Sequence, residues 1–248
     1  MELGGRSVIV TGGASGIGRA TALLAARHGA RVVIGDIDLA GGHAAVAEAK
    51  EAGLEIDFAP LDLTDSSAID AFVSAVGERV EVIDGLVNGA GWDAIQPFLE
   101  NPPEIWDRII AINLMGAIRL TRGVLSPMVA AGRGKIVNIS SDAGRVGSTG
   151  ETVYAAAKGG LIAFTKSLAR EMARYRINVN CVCPGPTDTP LFRRQPERIK
   201  EALTRAIPFR RIAQPAEIAE AVLFFLSDRA NYITGQVLSV SGGLTMAD

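Results

Sequence analysis

Seven short runs rich in β-branched and other apolar residues alternate along the chain with longer segments of helical pattern. The runs predict strands at 7–12, 31–36, 56–62, 83–90, 135–141, 177–185 and 237–243. The segments between them predict helices at 16–28, 38–52, 65–79, 103–131, 152–174 and 215–227. Strands that are apolar on both faces and separated by helices are typical of a parallel sheet covered on both sides. The pattern therefore predicts an α/β fold: a Rossmann-type, doubly wound domain whose seven-stranded, mostly parallel sheet has helices on both faces.

No repeat or linker divides the chain, so a single domain is predicted over residues 1–248. Residues 186–214 differ from the rest because they lack a strand pattern and are rich in arginine and proline. We expect this segment to be an insertion that covers the carboxyl edge of the sheet as a substrate lid. Its basic side chains fit either a phosphate-binding surface or the solvated face of an amphipathic lid. They are Arg193, Arg194, Arg198, Lys200 and Arg205.

The composition argues against several classes of protein. Of the 248 residues, 48% are hydrophobic and 21% are charged, as expected for a packed domain rather than a disordered chain. A formal net charge of −2 argues against a nucleic-acid-binding protein, which usually carries a basic surplus. The amino terminus, "MELGGRSVIVTGG", lacks the pattern of a secretion signal, and no apolar run approaches the roughly 20 residues of a membrane span. A cytoplasmic protein without membrane contact is therefore predicted.

The two cysteines, Cys181 and Cys183, alternate on one predicted strand, so their side chains share a face. Neighbours this close on a strand are poorly placed for a disulfide, and a metal site needs further Cys or His ligands. The only histidines, His28 and His43, lie far away in the sequence. We expect reduced core thiols and no metal site. The scarcity of histidine also argues against a Ser-His-Asp hydrolase.

A glycine-rich turn, "TGGASGIGRA", joins the first predicted strand to the first predicted helix. Glycines there allow a tight turn and let a pyrophosphate approach the backbone amides at the positive end of the helix. Such a turn is weak evidence alone, but its position between strand and helix favours a dinucleotide site. The candidate cofactor-binding residues in it are Gly12, Ser15, Gly16, Ile17 and Gly18.

Asp36 ends the second predicted strand, in "VVIGDID". A carboxylate there can accept hydrogen bonds from an adenine ribose and would repel a 2′-phosphate. No lysine or arginine directly follows it to bind such a phosphate. We therefore predict NAD rather than NADP as the cofactor. The alternative is that Asp36 caps the next helix, although Asp38 could serve as that cap.

Asp62 and Leu63 follow in the same way at the end of the third predicted strand, in "PLDLTD". A side chain at this place can reach the adenine edge of a bound dinucleotide, so both residues are candidates for cofactor binding. A simple turn or capping acid is an equal alternative for Asp62.

Tyr154 and Lys158, in "VYAAAKGGL", stand four residues apart, so they share one face of a predicted helix. A phenol titrates near 10, too high for a base at neutral pH. An adjacent ammonium stabilises the phenolate, and lowering the pKa by ~3 units corresponds to ~4 kcal/mol. Such a tyrosine could take the proton of an alcohol as hydride leaves its carbon. By itself, the pattern also fits an ordinary exposed Tyr–Lys pair.

Several spaced elements in order make the chain resemble the short-chain dehydrogenase/reductase family over nearly its whole length. They are "TGGASGIG" (11–18), "NGAG" (88–91), Asn113 in "INLMG", Ser141 thirteen residues before Tyr154, the Tyr154–Lys158 pair and "PGPTDT" (184–189). The resemblance implies Tyr154 as general acid/base and Ser141 as the group that holds the substrate oxygen. It implies that Lys158 lowers the pKa of Tyr154 and binds the nicotinamide ribose, and that Asn113 holds a water linking the lysine to solvent.

The resemblance also implies cofactor contacts beyond the glycine turn. These are Asn88, Ala90 and Gly91 in the floor of the cofactor site, and Pro184, Gly185, Thr187 and Thr189 near the nicotinamide carboxamide. One departure is visible, because the family usually has a second asparagine where this chain has Gly89. That position belongs to the scaffold, and we do not expect it to disturb the chemistry.

Local segments such as "GAGWDAIQPF" and "ITGQVLSVSGGLTM" are similar, within this family, to 2-hydroxycyclohexane-1-carboxyl-CoA dehydrogenases. That similarity implies NAD-dependent oxidation of a cyclic β-hydroxyacyl-CoA to the β-ketoacyl-CoA. The candidate substrate contacts besides Ser141 are Trp92 and Asp93 at the cleft rim, Arg145 and Glu151 between Ser141 and Tyr154, and Leu191 and Phe192 under the lid.

Three other functions stay open on the sequence. The chain could be a 3-oxoacyl-[acyl-carrier-protein] reductase, which works in the reductive direction and usually draws on NADP, or it could oxidise a free secondary alcohol or a sugar. A catalytically inactive, cofactor-sensing regulator typically lacks the tyrosine or the lysine, and this chain has both. The family resemblance implies a homotetramer with contacts through the predicted helices 103–131 and 152–174 and through the carboxyl terminus.

Overall fold

The computed structural model describes residues 3–247. Its strands form one sheet in the order β3-β2-β1-β4-β5-β6-β7, and every pairing of neighbouring strands is parallel. The strands are β1 (Ser7–Thr11), β2 (Arg31–Asp36), β3 (Ile56–Pro60), β4 (Gly85–Asn88), β5 (Gly134–Ile139), β6 (Ile177–Pro184) and β7 (Val237–Val240). The predicted α/β fold is confirmed, and among the described residues the sheet is entirely parallel rather than mostly so.

The strand order reverses at β1, which lies between β2 and β4. The chain runs outward from β1 to β3 and then crosses back to β4, so the connections on either side of β1 lead in opposite directions. In an open parallel sheet, this reversal leaves a crevice at the carboxyl ends of the two central strands. The fold therefore places a ligand site above β1 and β4.

Ten α-helices connect the strands in the described part of the chain. They are α1 (Gly16–Arg27), α2 (Leu39–Glu51), α3 (Ser66–Gly77), α4 (Pro103–Ile110), α5 (Ala117–Ala131), α6 (Ala143–Val146), α7 (Thr152–Met172), α8 (Pro190–Arg193), α9 (Glu197–Ala206) and α10 (Pro215–Leu226). Short 3₁₀ turns occupy Phe98–Glu100, Ala173–Tyr175 and Asp228–Ala230. The predicted lid segment contains two of the helices, α8 and α9.

The helix predicted at 103–131 is interrupted by a π-helical turn, Ala111–Gly116, between α4 and α5. Within this turn, the side chain of Asn113 donates a hydrogen bond to the Ile109 carbonyl at 2.9 Å. The amide thus uses a carbonyl that a regular helix would pair with its own backbone, and such bulges often accompany functional sites.

The sheet buries an apolar face on each side because alternate residues of its strands point in opposite directions. On one side, Val10 and Ile34 belong to a buried cluster with residues of α1 and α10. On the other, Ile9 and Leu86 cluster with buried residues of α3 and α5, including Leu120. Both cysteines are buried free thiols in this core. Two apolar layers hold the sheet, so its carboxyl edge is a rigid platform.

One apolar helix of the described chain is longer than the sequence-based exclusion of a membrane span allowed. The continuous helical stretch Pro103–Ala131 is, by length and composition alone, able to cross a membrane, with a mean hydropathy of 1.4 in its best window. Of that window, 39% is buried inside the protein. The core helix of a soluble protein passes the same test, so the feature is weak evidence for a membrane span.

Replacing Leu120, which is fully buried on α5, tests the packing of this layer. We expect Leu120→Ala to lower the free energy of unfolding by about 2–5 kcal/mol, because it removes buried methyl groups and leaves a cavity. The matched control is Leu99→Ala, since Leu99 is 97% exposed and its loss should change stability by less than about 0.5 kcal/mol. Urea unfolding followed by circular dichroism measures both, and equal effects would contradict the described packing.

Candidate active site

A cleft of about 1270 Å³ opens at the carboxyl edge of the sheet, above β1 and β4. Residues that follow each of the seven strands line it, together with side chains of the lid. Ligand pockets for drug-sized molecules usually occupy about 300–1,000 Å³, so this cleft has room for a dinucleotide and a substrate. All the predicted site residues line it except Asn88, Asn113 and Arg145.

The glycine turn forms one end of the cleft and is too closely packed for side chains. Gly12 has a φ of +71°, and a Cβ there would lie 2.8 Å from the Cα of Ala90. A Cβ on Gly18 would lie 2.2 Å from the carbonyl oxygen of Gly12. Helix α1 begins at Gly16, has no acidic residue in its first turn, and its N-cap Ser15 makes no side-chain capping bond. The amides and the Ser15 hydroxyl are thus available to an anion at the positive helix end.

Asp36 lies at the end of β2 and lines the cleft beside the glycine turn. Its carboxylate accepts hydrogen bonds from the backbone amides of Ala14 and Asp38, both at 3.0 Å. The cap of α2 is Asp38, which accepts from the Gly41 amide at 3.0 Å. The capping role that was open for Asp36 therefore belongs to Asp38, and Asp36 is held in place at the cleft.

Asp62 stabilises a local turn and also lines the cleft, while its contact with the adenine edge of a cofactor stays a prediction. Its carboxylate accepts hydrogen bonds from the backbone amide and the hydroxyl of Thr64, at 2.8 and 2.7 Å. It nevertheless lines the cleft, next to Leu63.

The adenosine end of the cleft fits a dinucleotide cofactor. A close-packed glycine turn, a free helix N-terminus and an oriented carboxylate are the three groups that hold a pyrophosphate and a ribose in this class of fold. When bound, a nicotinamide dinucleotide supplies the acceptor or donor of hydride for oxidation of an alcohol or reduction of a ketone. The residues that would hold it here are those of the glycine turn together with Asp36.

The loop after β4 forms the floor between the two ends of the cleft. The Thr11 hydroxyl accepts hydrogen bonds from the amides of Gly89 and Ala90, at 3.0 and 3.2 Å. Ala90 and Gly91 line the cleft. The side chain of Asn88 instead lies below the floor. Its amide donates to Asn138 at 2.7 Å and to Thr121 at 3.0 Å, so Asn88 supports the floor without facing a ligand.

Ser141, Tyr154 and Lys158 lie together at the other end of the cleft. Lys158 is almost fully buried, and its Nζ donates a hydrogen bond to the Ile139 carbonyl at 2.9 Å. The same Nζ lies 5.6 Å from the centre of the Tyr154 ring. Burial raises the pKa of Tyr154, and a hydrogen bond with Ser141 offsets part of that rise, which places these two hydroxyl groups next to each other. A substrate oxygen could therefore contact a serine and a tyrosine hydroxyl at once.

Asn113 stabilises the wall of the cleft without lining the cleft itself. Its side-chain amide donates to the Trp92 carbonyl at 2.7 Å, and its oxygen accepts from the Trp92 amide at 3.2 Å. A Cβ on Gly91 would lie 3.1 Å from the Asn113 oxygen and 3.6 Å from Lys158 Nζ. The asparagine oxygen and the lysine thus flank one glycine. The proposed water between Asn113 and Lys158 stays a prediction.

The electrostatics of the pair differ from the sequence-based expectation. Burial raises the pKa of Tyr154 above its usual value, and the negative charges of Glu151 and Asp93 raise it further. Burial also lowers the pKa of Lys158 to about 8. The expected lowering of the tyrosine pKa by its lysine neighbour is therefore corrected: desolvation and two carboxyl groups dominate, while Lys158 is directed at a backbone carbonyl.

The segment after β6 lines the cleft with Pro184, Gly185, Thr187 and Thr189, as predicted. The hydroxyl of Thr187 donates to the Gly185 carbonyl at 2.9 Å, and that of Thr189 accepts from the Phe192 amide at 3.3 Å. Each hydroxyl group already stabilises the local turn. The Thr187 hydroxyl has used its proton and can only accept a hydrogen bond from a ligand, whereas the Thr189 hydroxyl can still donate one.

The segment predicted to be a lid has apolar side chains in the cleft and paired charged side chains on its exposed surface. Leu191 and Phe192 line the cleft, as do Ile199 and Leu203 of α9. Its cations pair with neighbouring acids: Arg193 with Asp188, Lys200 with Glu197 and Arg205 with Glu201. None of the basic lid residues lines the cleft in the described structure. The geometry thus favours the amphipathic-lid interpretation over a phosphate-binding surface.

Arg145 does not reach the cleft, which corrects its assignment as a substrate contact. Its guanidinium donates to the Ser239 hydroxyl at 2.8 Å and to the Ala247 carbonyl. The Ser239 hydroxyl in turn donates to Asp142 at 2.6 Å. Arg145 therefore ties the loop that carries Ser141 to the carboxyl-terminal segment.

The carboxyl-terminal segment itself contributes Leu244 and Thr245 to the cleft lining, which the sequence analysis missed. The available signal was the glycine pair at 242 and 243, where φ values of +62° and +88° turn the chain after β7.

At the rim, the Arg108 guanidinium lies 4.2 Å above the ring of Trp92, and Asp93 and Glu151 line the adjoining wall. Within residues 3–247, no cluster of three or more His, Cys, Asp or Glu side chains is placed to hold a metal ion.

Comparisons with known proteins identify the family of this chain. The chain matches the family model described as enoyl-(acyl carrier protein) reductase over residues 12–245. It is 40% identical to the 3-oxoacyl-[acyl-carrier-protein] reductase FabG of Thermotoga maritima, covering 99% of this chain and 100% of that protein. It is 37% identical to the (2S)-[(R)-hydroxy(phenyl)methyl]succinyl-CoA dehydrogenase subunit BbsD of Thauera aromatica, covering 99% of each. Among solved structures, levodione reductase has a TM-score of 0.92 at 34% identity, covering 96% of each chain.

The chain belongs to the short-chain dehydrogenase/reductase family, as its motifs indicated. Like its relatives, it is an oxidoreductase that acts on hydroxyl or keto groups. Members of this family use NAD or NADP, which agrees with the fit of the cleft to a dinucleotide.

Replacing Tyr154 by Phe tests its assignment as the acid/base group. We expect Tyr154→Phe to reduce kcat by roughly 10²- to 10⁴-fold, because the reacting oxygen loses its proton donor and acceptor. Cofactor binding, measured by fluorescence titration, should stay nearly unchanged. The matched control is Tyr175→Phe, since Tyr175 lies beyond the end of α7 and does not line the cleft. Full turnover by Tyr154→Phe would contradict the assignment.

Proposed function

We propose that this enzyme oxidises a secondary alcohol to a ketone with NAD, with Tyr154 as general acid/base and a cyclic β-hydroxyacyl-CoA as its substrate. 2-Hydroxycyclohexane-1-carboxyl-CoA represents that class. The cofactor assignment rests on the position of Asp36, which lines the cleft beside the glycine turn. A carboxylate there suits the hydroxyl groups of an adenosine ribose and repels a 2′-phosphate.

The cations near this end of the cleft support the same choice. Arg19, at the end of the glycine turn, forms an ion pair with Glu48 instead of facing the cleft. Residue 37, directly after Asp36, is an isoleucine, and Arg108 and Lys158 are the two cations among the described residues of the cleft lining. Lys158 lies at the catalytic end. A 2′-phosphate would therefore meet a carboxylate and no neighbouring positive charge.

Ser141 and Tyr154 would have different roles in the proton transfer. Ser141 would bind the substrate oxygen and stabilise negative charge on it, as an oriented hydroxyl donor does. Tyr154 would exchange a proton with that same oxygen. Because its pKa is raised, the phenol is protonated at neutral pH and ready to donate to a ketone. Oxidation needs the deprotonated form, so we expect alcohol oxidation to gain rate as pH rises.

Three features support an acyl-CoA substrate. A relative at 37% identity is named as a CoA-ester dehydrogenase. Segments such as "GAGWDAIQPF" are similar to those of dehydrogenases of a cyclic hydroxyacyl-CoA. The substrate end of the cleft combines the flat ring of Trp92 with the apolar lid residues Leu191 and Phe192, which suits a hydrocarbon ring. We expect the protein to act in the cytoplasm as a homotetramer.

A specific observation favours a second candidate, a 3-oxoacyl-[acyl-carrier-protein] reductase. The FabG relative is 40% identical over nearly the full length of both proteins. A reductase of this kind commonly uses NADPH, and Asp36 argues against that cofactor. A catalytically inactive regulator is disfavoured because Asn113, Ser141, Tyr154 and Lys158 are all present.

The cofactor assignment can be tested by exchanging the charges at the end of β2. We expect the double variant Asp36→Ala with Ile37→Arg to shift the NAD/NADP ratio of kcat/KM toward NADP by at least about tenfold, because a repulsive charge is replaced by an attractive one. The control is Asp57→Ala with no other change, since Asp57 lies on β3 outside the cleft. A wild-type enzyme that prefers NADP would overturn the assignment.

The substrate assignment calls for a panel assayed with NAD by absorbance of the reduced nicotinamide. It contains 2-hydroxycyclohexane-1-carboxyl-CoA, a linear 3-hydroxyacyl-CoA, a 3-hydroxyacyl-carrier-protein thioester, cyclohexanol and a sugar alcohol. We expect the cyclic CoA thioester to have a kcat/KM at least about tenfold above the others, since it alone offers both a ring and a thioester. A clear preference for the carrier-protein thioester with NADP would establish the second candidate instead.

A further inference from the structure

Two acidic side chains, Asp93 and Glu151, approach each other at the substrate end of the cleft from separate loops. Asp93 follows β4 at some distance, and Glu151 is the N-cap of α7; both line the cleft. The two loops are tied together by a hydrogen bond from the Gln96 amide to the Gly150 carbonyl at 3.1 Å. The backbone therefore holds the two loops together, and the two carboxyl groups are close enough for Glu151 to add to the rise that burial causes in the pKa of Asp93.

Neither carboxyl group is fully used by the fold. One oxygen of Asp93 accepts from the Ala94 amide at 2.8 Å, while the other is buried without a hydrogen-bond donor among the described residues. Glu151 occupies an N-cap position, yet its side chain makes no capping bond. Buried polar atoms and N-cap acids normally find such partners. Besides burial and the charge of Glu151, a hydrogen bond between the two side chains is a cause of the raised pKa of Asp93, so the carboxyl groups interact with each other and keep unused lone pairs for a ligand in the cleft.

The pair also lies next to the catalytic tyrosine. Glu151 and Tyr154 are three residues apart at the start of α7, so they share a face of the helix. Burial and Glu151 together raise the pKa of Asp93 to about 7. Lys158, on the same helix, opposes that rise, and the Cys183 thiol of β6 is the other titratable group that raises the pKa of Tyr154. Near neutral pH the two carboxyl groups thus hold a proton and a net negative charge between them.

We propose that Asp93 and Glu151 determine substrate specificity by selecting hydroxyacyl substrates whose carboxyl group is masked as an ester or thioester and by rejecting the corresponding free carboxylates. A masked carbonyl can accept a hydrogen bond from the protonated member of the pair. A free carboxylate at the same place meets a like charge in a partly desolvated cleft. The inference rests on the proposed function, since it places the acyl group of the substrate beside this pair.

The test compares methyl 2-hydroxycyclohexane-1-carboxylate with the free 2-hydroxycyclohexane-1-carboxylate, using the intact enzyme and NAD. We expect the ester-to-acid ratio of kcat/KM to exceed about 10 in the wild type, and to fall by about tenfold or more in Glu151→Gln and in Asp93→Asn. Both substitutions keep the side-chain size, and Asp93→Asn also keeps the oxygen that accepts from the Ala94 amide. Glu104→Gln, an exposed residue on α4, removes the same charge elsewhere and should leave the ratio unchanged.

A pH profile separates this electrostatic role from a purely structural one. Removing a neighbouring negative charge lowers the pKa of Tyr154, so the rising limb of kcat/KM for cyclohexanol oxidation should move to lower pH in Glu151→Gln and Asp93→Asn. Calorimetric titration of ester and acid onto the NAD-loaded enzyme gives the same ratio from dissociation constants where turnover is slow. A wild-type ratio near 1, or an unchanged ratio in both variants, would overturn the inference. A normal ratio with no oxidation of the CoA thioester would count against the proposed substrate alone.

Discussion

The attachment of helix α7 to strand β5 is the interaction on which the active site depends. Lys158 Nζ donates to the Ile139 carbonyl at 2.9 Å, and the Ser140 hydroxyl donates to the Lys158 carbonyl at 2.8 Å. Both hydrogen bonds are buried, where an unpaired partner would cost about 1–3 kcal/mol. They fix the helix that carries Tyr154 against the loop that carries Ser141. The two reacting hydroxyl groups are consequently held together before any ligand arrives.

A second set of buried polar contacts extends this attachment across the sheet. Asn88 of β4 donates to Thr121 of α5 and to Asn138 of β5, at 3.0 and 2.7 Å. Asn138 donates in turn to Thr165 of α7 at 2.8 Å. Side-chain hydrogen bonds are stronger inside a protein than in water, and connected ones specify a single arrangement. Two helices and two strands therefore keep one relative position beneath the cleft.

The sequence was sufficient to predict the features that rest on local backbone chemistry. The glycine turn and the carboxylate ending β2 follow directly from which residues permit a tight turn and which suit a ribose. The ends of strands are harder to predict from the sequence. The apolar pattern predicts β4 at 83–90, but the strand spans Gly85–Asn88. Its carboxyl end leaves the sheet because the amides of Gly89 and Ala90 turn toward the Thr11 hydroxyl, 78 and 79 residues away in the chain.

Contacts between distant parts of the chain explain the other differences. Arg145 lies between two site residues in the sequence, but its partners Ser239 and Ala247 are 94 and 102 residues further on. No local pattern contains that information. The membership of Arg145 in the substrate site was therefore an inference from sequence neighbourhood, and the folded chain directs the side chain away.

The spacing of Tyr154 and Lys158 shows the same limit in electrostatic terms. A four-residue spacing establishes that two side chains share a helix face, but not how much water surrounds them. Here burial disfavours the charged form of both groups, raising the pKa of the phenol and lowering that of the ammonium to about 8. An attraction between opposite charges then has little effect, because the phenol stays neutral near pH 7 while the ammonium is still mostly charged. The proton balance of the site is consequently decided by desolvation and by the acidic wall at Asp93 and Glu151, both of which depend on the tertiary fold.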